Sequence, residues 1–581
     1  MKHYSATELS VRTQIVQAIN QALAGVAVVG LDDIAYPPNP TMGDYTVACF
    51  PFAKALGKAP AVIAADIAKA IQPSGMIAGV QAAGPYVNFT LAKSAFADAV
   101  IREVLKKQEQ YGAGTIGRGK KVMIEYFSPN TNKQLTVGHV RNTCLGWSIA
   151  RIMKFLGYKV IEATLYNDRG IAIAKAIVGY QKWGEEKTPD DVGVKPDHYV
   201  GSFYVRFSQA AKEDKQLEHE AQVSLQAWEK GDSEVRGIWQ QLMTWVYQGF
   251  DQTLTDLGIG AFDQRYYESE YYHHAKEIID LGLKKGVFKQ HPEGYVYVDL
   301  EKYGLPNKIL LRSDGTSLYI TQDIYLASLK NRHKLDESMY VVGSEQDLQF
   351  KQLFKILELL KFENIKTHYH VSYGMVRLPW GKIKSREGIA KGTSADDLLA
   401  ELRNLATKEI SQRFPDTPAE ELQQRAKAIA LGALKFYMLS VRPDTTLIFN
   451  PETSIAFTGR TGPYIQYTHA RINSILQKAE MKVTLRGAHL PELTSDHEQA
   501  VIKLLAQFPG VLAAAATEHD PSRIADYLFE VSKMFSALYE QVSILQAEPP
   551  IKRARLALCV ATQHVLANGL TLLGIEPMQR M

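Results

Sequence analysis

The sequence predicts an α/β chain of three units: a small α/β unit, a large unit built on a parallel sheet, and an all-helical unit. Three observations carry that reading. Val122, Met123, Ile124, Tyr126 and Phe127 form an apolar run that reads as a buried strand, and Leu145, Ile149, Ile152, Met153 and Leu156 recur at helical spacing before Gly157. A second strand-like run, Lys159 to Leu165, follows at once and completes a βαβ unit, whose loop lies at the carboxyl end of a parallel strand, where open α/β sheets bind ligands. Beyond Asp396-Asp397 the patterns are helical to the end.

Bulk properties bound the answer. The 581 residues are 46% hydrophobic and 22% charged, ordinary globular values for a chain of several domains. A net charge of +4 is compatible with a polyanionic partner but too small to demand one. Cys49, Cys144 and Cys559 are far apart and lack ligand spacing, which argues against a disulfide framework or a structural metal and fits a reducing cytoplasm. MKHYSATELS has no apolar signal core, and no run approaches the ~18 apolar residues of a membrane span, so the expectation is a cytoplasmic protein with no membrane partner.

The first unit, residues 1–112, opens with helical spacing over Val11 to Leu23, breaks at Pro37-Pro38-Asn39-Pro40, and resumes with an amphipathic helix at Ile63, Ile67 and Ile71. Gly84 to Phe89 alternates like a strand leaving a turn. In the second unit Glu125 interrupts an apolar strand, where a carboxylate is costly unless an internal Lys or Arg meets it or it faces a ligand. The loop Ser128 to His139 precedes a helix whose free N–H groups and dipole suit phosphate. Gly138 lets a flat base approach the backbone, and Lys133 and His139 can place positive charge there, although Gly-His at a helix start is, by itself, an ordinary turn. Asn167-Asp168-Arg169-Gly170 ends the next strand, and Gly184 to Gly231 is polar and reads as loop-rich, part of an insertion around 184–265. After the turn at Asp314-Gly315, Tyr319 and Asp323 lie four apart, on one side of a helical turn, where a carboxylate can meet a guanidinium. A strand at Tyr340 to Gly343, the polar Glu345-Gln346-Asp347, and a helix with Phe350, Leu353, Phe354, Leu357 and Leu360 on its buried face restore the βαβ pattern, so the insertion divides one sheet. A strand at Tyr369 to Tyr373 leads to Gly381 to Gly388, whose Lys382, Lys384 and Ser385 suit a loop closing on phosphates. The third unit offers helices at Ala428 to Leu439, Tyr464 to Leu476, Ile502 to Leu512 and Arg555 to Leu573, and a fifth after the cap at Asp520-Pro521.

The loop frame Ser128-Pro129-Asn130-x-x-Lys133-x-Leu135-x-x-Gly138-His139-x-Arg141-Asn142 resembles the first signature of the arginyl-tRNA synthetases, class I, with Thr136 standing where the first His of H-x-G-H is expected. The run from Lys382 resembles the second signature, K-M-S-K-S, with Ser385 at the fourth position, a departure for which Lys133 or Lys384 compensates. The resemblance implies a Rossmann-like catalytic unit at 113–448, an N-terminal domain at 1–112 that touches the tRNA corner, and an anticodon-binding helical bundle at 449–581. It implies ATP-dependent activation of L-arginine and transfer to the 3′ end of tRNA(Arg), with Mg2+ carried through the ATP phosphates and no metal cluster of its own. Catalysis would fall to His139, Lys133, Lys384 and Thr136, with Gly138, His139, Lys382 and Ser385 on ATP. Arginine would be held by Glu125, Asn130, Tyr319, Asp323 and Gln346, and tRNA by Asn88, Phe89, Tyr464, Arg471 and Met581. A non-catalytic RNA-binding paralogue would lose the pocket, and the presence of Glu125, Tyr319 and Asp323 points away from it. A monomer is expected.

Overall fold

The computed structural model describes residues 3–316, 318–362, 364–377, 394–480, 485 and 488–581. Strands β1 (Ile34–Ala35), β2 (Tyr45–Ala48), β3 (Ile77–Ala83) and β4 (Tyr86–Leu91) form an antiparallel sheet in the order β1-β2-β4-β3. Helices Ala6–Ala22, Pro60–Ala70 and Lys93–Lys107 accompany it. The first starts where Ser5 accepts the Glu8 N–H at 3.0 Å, and the second at a proline, whose missing N–H costs nothing in a first turn. This sheet corrects one expectation. Phe89 is fully buried, and Asn88, also buried on β4, accepts the Thr46 hydroxyl at 2.6 Å, so neither presents a surface for a base to stack on. As neighbours on one strand they point to opposite faces, and both faces of β4 are covered there.

The large sheet is parallel. Strands β5 (Lys121–Glu125), β6 (Lys159–Tyr166) and β7 (Gln264–Tyr267) make one half, a side sheet of β8 (Phe288–Gln290), β9 (Val296–Val298) and β10 (Lys308–Leu311) intervenes, and β11 (Leu335–Gly343) and β12 (Ile365–Tyr373) make the other half. The order β12-β11-β5-β6-β7 means that the chain winds outward from β5, then returns to its other side. β5 and β11 therefore flank the switch point, with Glu125 opposite Tyr340. Helix Val137–Phe155 connects β5 to β6, and helix Asp347–Leu359 connects β11 to β12.

Between β6 and β7 the stretch read as loop-rich, Gly184 to Gly231, instead carries helices Pro196–Ala210 and Gln216–Lys230, and helix Ser233–Asp256 follows it. Polar composition hid the period. Tyr199, Val200, Phe203 and Phe207 recur on one face and are buried, and Asp232 caps the last helix by accepting the N–H groups of Glu234 and Val235 at 3.1 and 3.0 Å.

Six long helices follow: Ala395–Arg413, Ala419–Leu439, Gly462–Lys478, Asp496–Glu518, Ser522–Gln541 and Pro549–Leu572. Helix Asp496–Glu518 is apolar and long enough to cross a membrane by composition, contrary to the reading of the sequence, but Ile502, Leu505, Phe508 and Leu512 are fully buried against the surrounding helices. Pro509 lies inside it, so the Leu505 carbonyl has no N–H four residues on; the buried Tyr111 hydroxyl donates to that carbonyl at 2.9 Å instead. Helix Val137–Phe155 is covered on its outer side by the C-terminal segment. Ser148 Oγ donates to the Leu572 carbonyl at 3.0 Å, Arg151 Nε donates to that of Thr571 at 2.9 Å, and Gly574, at φ 72°, lies so close to Trp147 that a Cβ there would fall 1.9 Å from the indole.

Candidate active site

A cleft of about 720 Å3 opens at the carboxyl ends of β5, β6, β11 and β12. It brings together Glu125, Asn130, Lys133, His139, Tyr319, Asp323 and Gln346, seven residues that the sequence had singled out over more than two hundred positions. The first signature loop forms one end. Asn130 meets Asn167 in an isolated parallel bridge, its Oδ1 accepting Asn167 Nδ2 at 3.2 Å, so the loop is tied to the end of β6. Phe127 turns the chain out of β5 at φ 54°, unusual for a bulky residue, and is held there by packing: it is buried, stacks at 6.1 Å on Phe262, and its N–H reaches Asn142 Oδ1 at 2.6 Å.

Helix Val137–Phe155 begins at Thr136, and Thr136 sets the state of His139. The Thr136 N–H donates to His139 Nδ1 at 3.0 Å, with the Thr136 hydroxyl at the same distance, so Nδ1 is an acceptor and the proton sits on Nε2. Burial, with Lys133 nearby, depresses the imidazole to about 4, which makes it a neutral donor at neutral pH. This corrects the expectation of a positive His139. Thr136 is corrected as well. Its hydroxyl is directed to His139, and neither Thr136 nor Gly138 is among the residues lining the cleft.

Arg141 and Asn142, quoted in the signature but given no role, brace the same helix. Asn142 Nδ2 donates to the Val341 carbonyl at 2.6 Å, joining β5 to β11 across the switch point. Arg141 is fully buried and donates to the carbonyls of Gly374 at 2.8 Å, Thr445 at 2.7 Å, Pro443 at 3.1 Å and Arg442 at 3.2 Å.

The other end of the cleft is acidic. Helix Tyr319–Asn331 carries Tyr319, 75% exposed at the mouth, and Asp323 one turn deeper. Burial pushes Asp323 up to about 7; Gln349, which donates to it at 2.9 Å, opposes that, and Glu125 adds to it. Burial likewise raises Glu268 to about 7 against the pull of Arg169. Glu125 has the internal partner that its strand position demanded, Lys330, at 2.6 Å. Gln346 is exposed, on the short helical turn Ser344–Gln346 that follows β11. Lys330, Glu268, Gln349 and Arg169 were missed in the sequence. Only Arg169 had a local signal, its place in Asn167-Asp168-Arg169-Gly170. The Asp168 side chain serves structure, accepting Ser269 N–H at 2.8 Å, Ser269 Oγ at 2.6 Å and Tyr247 OH at 3.0 Å.

Lys382, Lys384 and Ser385 lie outside the described residues. The segment that follows them is anchored: Ser394 bridges to Thr136, the Ala395 N–H donates to the Leu135 carbonyl at 2.9 Å, and Asp396 accepts Lys195 Nζ at 2.8 Å and Thr253 Oγ1 at 3.0 Å with His198 Nε2 at 2.8 Å. Burial alone would raise Asp396; the His198 bond and the Lys195 ammonium outweigh it and hold the carboxylate at about 2. Far from the cleft, Arg471 lies over Tyr467 and Tyr539 at 4.7 and 5.4 Å, a partly exposed cation–aromatic patch. Tyr464 is half-buried, its hydroxyl 3.2 Å from Ser536 Oγ, and Met581 packs at the edge of the core.

Three family models match the chain: the arginyl tRNA synthetase N terminal domain over residues 11–91, the catalytic domain of tRNA synthetases class I (R) over 100–450, and the DALR anticodon binding domain over 465–581. The arginine–tRNA ligase of Treponema denticola is 43% identical, the alignment covering 94% of this chain and 95% of that protein, and that of Treponema pallidum is 40% identical over 94% of each. The arginyl-tRNA synthetase of Thermus thermophilus superimposes with a TM-score of 0.83 at 27% identity, covering 98% of this chain and all of that one. The Plasmodium falciparum arginyl-tRNA synthetase shares the fold, with a TM-score of 0.78 at 18% identity.

Proposed function

The chain belongs to the arginyl-tRNA synthetases, class I, an arginine–tRNA ligase with that family's three domains, and on that premise we propose how its cleft divides the work. The enzyme activates L-arginine with ATP to arginyl-adenylate and transfers the arginyl group to the 3′ end of tRNA(Arg). The arginine carboxylate attacks the α-phosphorus and pyrophosphate leaves; a terminal ribose hydroxyl then attacks the carbonyl and AMP leaves. No side chain need become covalently attached, so catalysis is positioning plus stabilisation of phosphate charge.

The phosphates belong at the signature end. His139 donates from neutral Nε2, Lys133 supplies the cation, and the amides opening helix Val137–Phe155 add their dipole. Lys382, Lys384 and Ser385 complete this assignment on the strength of their motif. Mg2+ is assigned to the ATP phosphates, which offer the hard oxygen ligands it prefers. At the acidic end Asp323 takes the guanidinium, Tyr319 covers it, and Glu125, Asn130 and Gln346 take the ammonium and carboxylate. The observation that carries this reading is Asp323: a carboxylate in the cleft wall that accepts from the neutral amide of Gln349 and is pushed up to about 7 is a site short of one cation. Uncharged citrulline leaves it unpaired and is rejected.

The cation–aromatic patch at Arg471 and Tyr467, with Tyr464 and Met581 nearby in sequence or fold, is assigned to the anticodon loop, whose splayed bases stack on such groups. Domain limits at 1–112, 113–448 and 449–581, a monomeric state, a cytoplasmic location and the absence of a membrane partner complete the proposal. Arginine-dependent exchange of pyrophosphate into ATP, run with and without tRNA(Arg), tests it: exchange with arginine in the presence of tRNA is expected, and exchange driven by another amino acid sinks the specificity.

A further inference from the structure

Lys330 is fully buried at the far end of helix Tyr319–Asn331, seven residues beyond Asp323 and on the same face. Its Nζ lies 2.6 Å from Glu125 Oε2 and 3.9 Å from the centre of the Tyr340 ring. The titratable groups around the pair come from several elements: Glu125 on β5, Tyr266 on β7, Tyr271 before the side sheet, Tyr340 on β11, His368 on β12 and Asp323 on its own helix. A buried ion pair that served packing alone would be sealed on both sides. Here Glu125 also lines the cleft, so one carboxylate stands between Lys330 and the ligand.

We propose that Lys330 is a positioning residue for the amino-acid substrate: it holds the Glu125 carboxylate in place behind the cleft, so that arginine meets a carboxylate whose orientation is fixed before binding. The charges explain why a lysine is needed. Glu125 and Asp323 together carry −2 when ionised, and two such charges facing one cleft repel each other. With Lys330 the trio carries −1, which matches the net +1 of L-arginine. The amino acid's ammonium shares Glu125 with Lys330, and Asp323 remains for the guanidinium. This rests on the arginine reading above and adds a residue that never touches the substrate.

The test uses the full chain in arginine- and tRNA-dependent pyrophosphate exchange, with K330M, K330R, E125Q and E125Q/K330M. K330M is expected to raise KM for arginine about tenfold or more while KM for ATP stays within about twofold, and K330R to restore it to within about threefold. Because Lys330 acts through Glu125, E125Q/K330M should match E125Q alone within about twofold. Equal rises in both KM values, no rise for arginine, or a further rise in the double variant over E125Q would overturn the proposal. If K330M fails to fold, the double variant, which replaces the buried pair with uncharged side chains of similar size, decides by its comparison with E125Q. A wild-type enzyme whose exchange ignores arginine would bring down the arginine reading itself, and this proposal with it.

Discussion

Two half-enclosed aspartates on opposite sides of the signature loop show how one fold uses the same side chain for opposite ends. Asp396, where helix Ala395–Arg413 joins the insertion, has a lysine, a histidine and a hydroxyl within 3.0 Å and is held at about 2. Asp323, in the cleft wall, has one neutral amide at 2.9 Å and is pushed up to about 7. The first is complete and binds parts of the chain to each other. The second accepts from one neutral amide and faces the cleft, where the proposed guanidinium would complete it. Burial raises both; what separates them is the set of donors, which identifies the ligand's place more surely than depth does.

The contrast breaks first at Asp323. Asp323→Asn should lower kcat/KM for arginine about 1000-fold, since the guanidinium loses its counter-charge, while binding of tRNA, followed by filter retention, stays near wild type. In the wild type, kcat/KM for arginine should rise with pH up to about 7 and level off above it, because only the ionised carboxylate binds the cation and the free enzyme's group titrates there. A flat profile from pH 6 to 8 would place the guanidinium elsewhere. His139→Ala should cost about 100-fold in the exchange rate, and the neutral imidazole, at about 4, predicts no rate loss of its own between pH 8 and 6.

At Asp396 the expected loss is of stability. Its folded value lies below the ordinary carboxylate range, so it stabilises the fold fully above pH ~4 and ceases to do so as pH falls through about 2. Asp396→Asn should therefore reduce stability by about 2 kcal/mol at pH 7, read by denaturant unfolding, with kcat/KM for arginine changed by less than about threefold. A large loss of activity with unchanged stability would put Asp396 in the chemistry and erase the contrast. Smallest is Thr136→Ala. The backbone N–H still reaches His139 Nδ1, so exchange should fall only about threefold, and a loss as large as that of His139→Ala would mean the hydroxyl has a direct role.

How much of this was legible varies residue by residue. The loop from Ser128 to His139 could be read because its strand, turn and helix are contiguous and each has a local pattern. Glu125 announced itself as a carboxylate in an apolar strand, but its partner could not be named, since Lys330 is distant in sequence and β11 and its helix bring it near only after the sheet closes. The charge of His139 was misread because protonation depends on burial and on which nitrogen the Thr136 N–H occupies, neither of which a motif contains. Phe89 was misread for the opposite reason, since a strand residue looks the same in sequence whichever face it takes. The insertion helices were lost under polar composition although Tyr199, Phe203 and Phe207 kept the period.

The covering of helix Val137–Phe155 bears on how the protein is made. Ser148, Arg151 and Trp147 face Thr571, Leu572 and Gly574, which leave the ribosome roughly 400 residues after the helix does. At about 5–20 residues per second, that interval lasts on the order of 20–80 s. For that time the nascent chain holds the helix that opens at the cleft with an indole and two polar side chains uncovered, a window in which a chaperone has something to grip. The helix is finished only when Thr571 to Gly574 arrive, which ties the appearance of activity to the synthesis of that late segment.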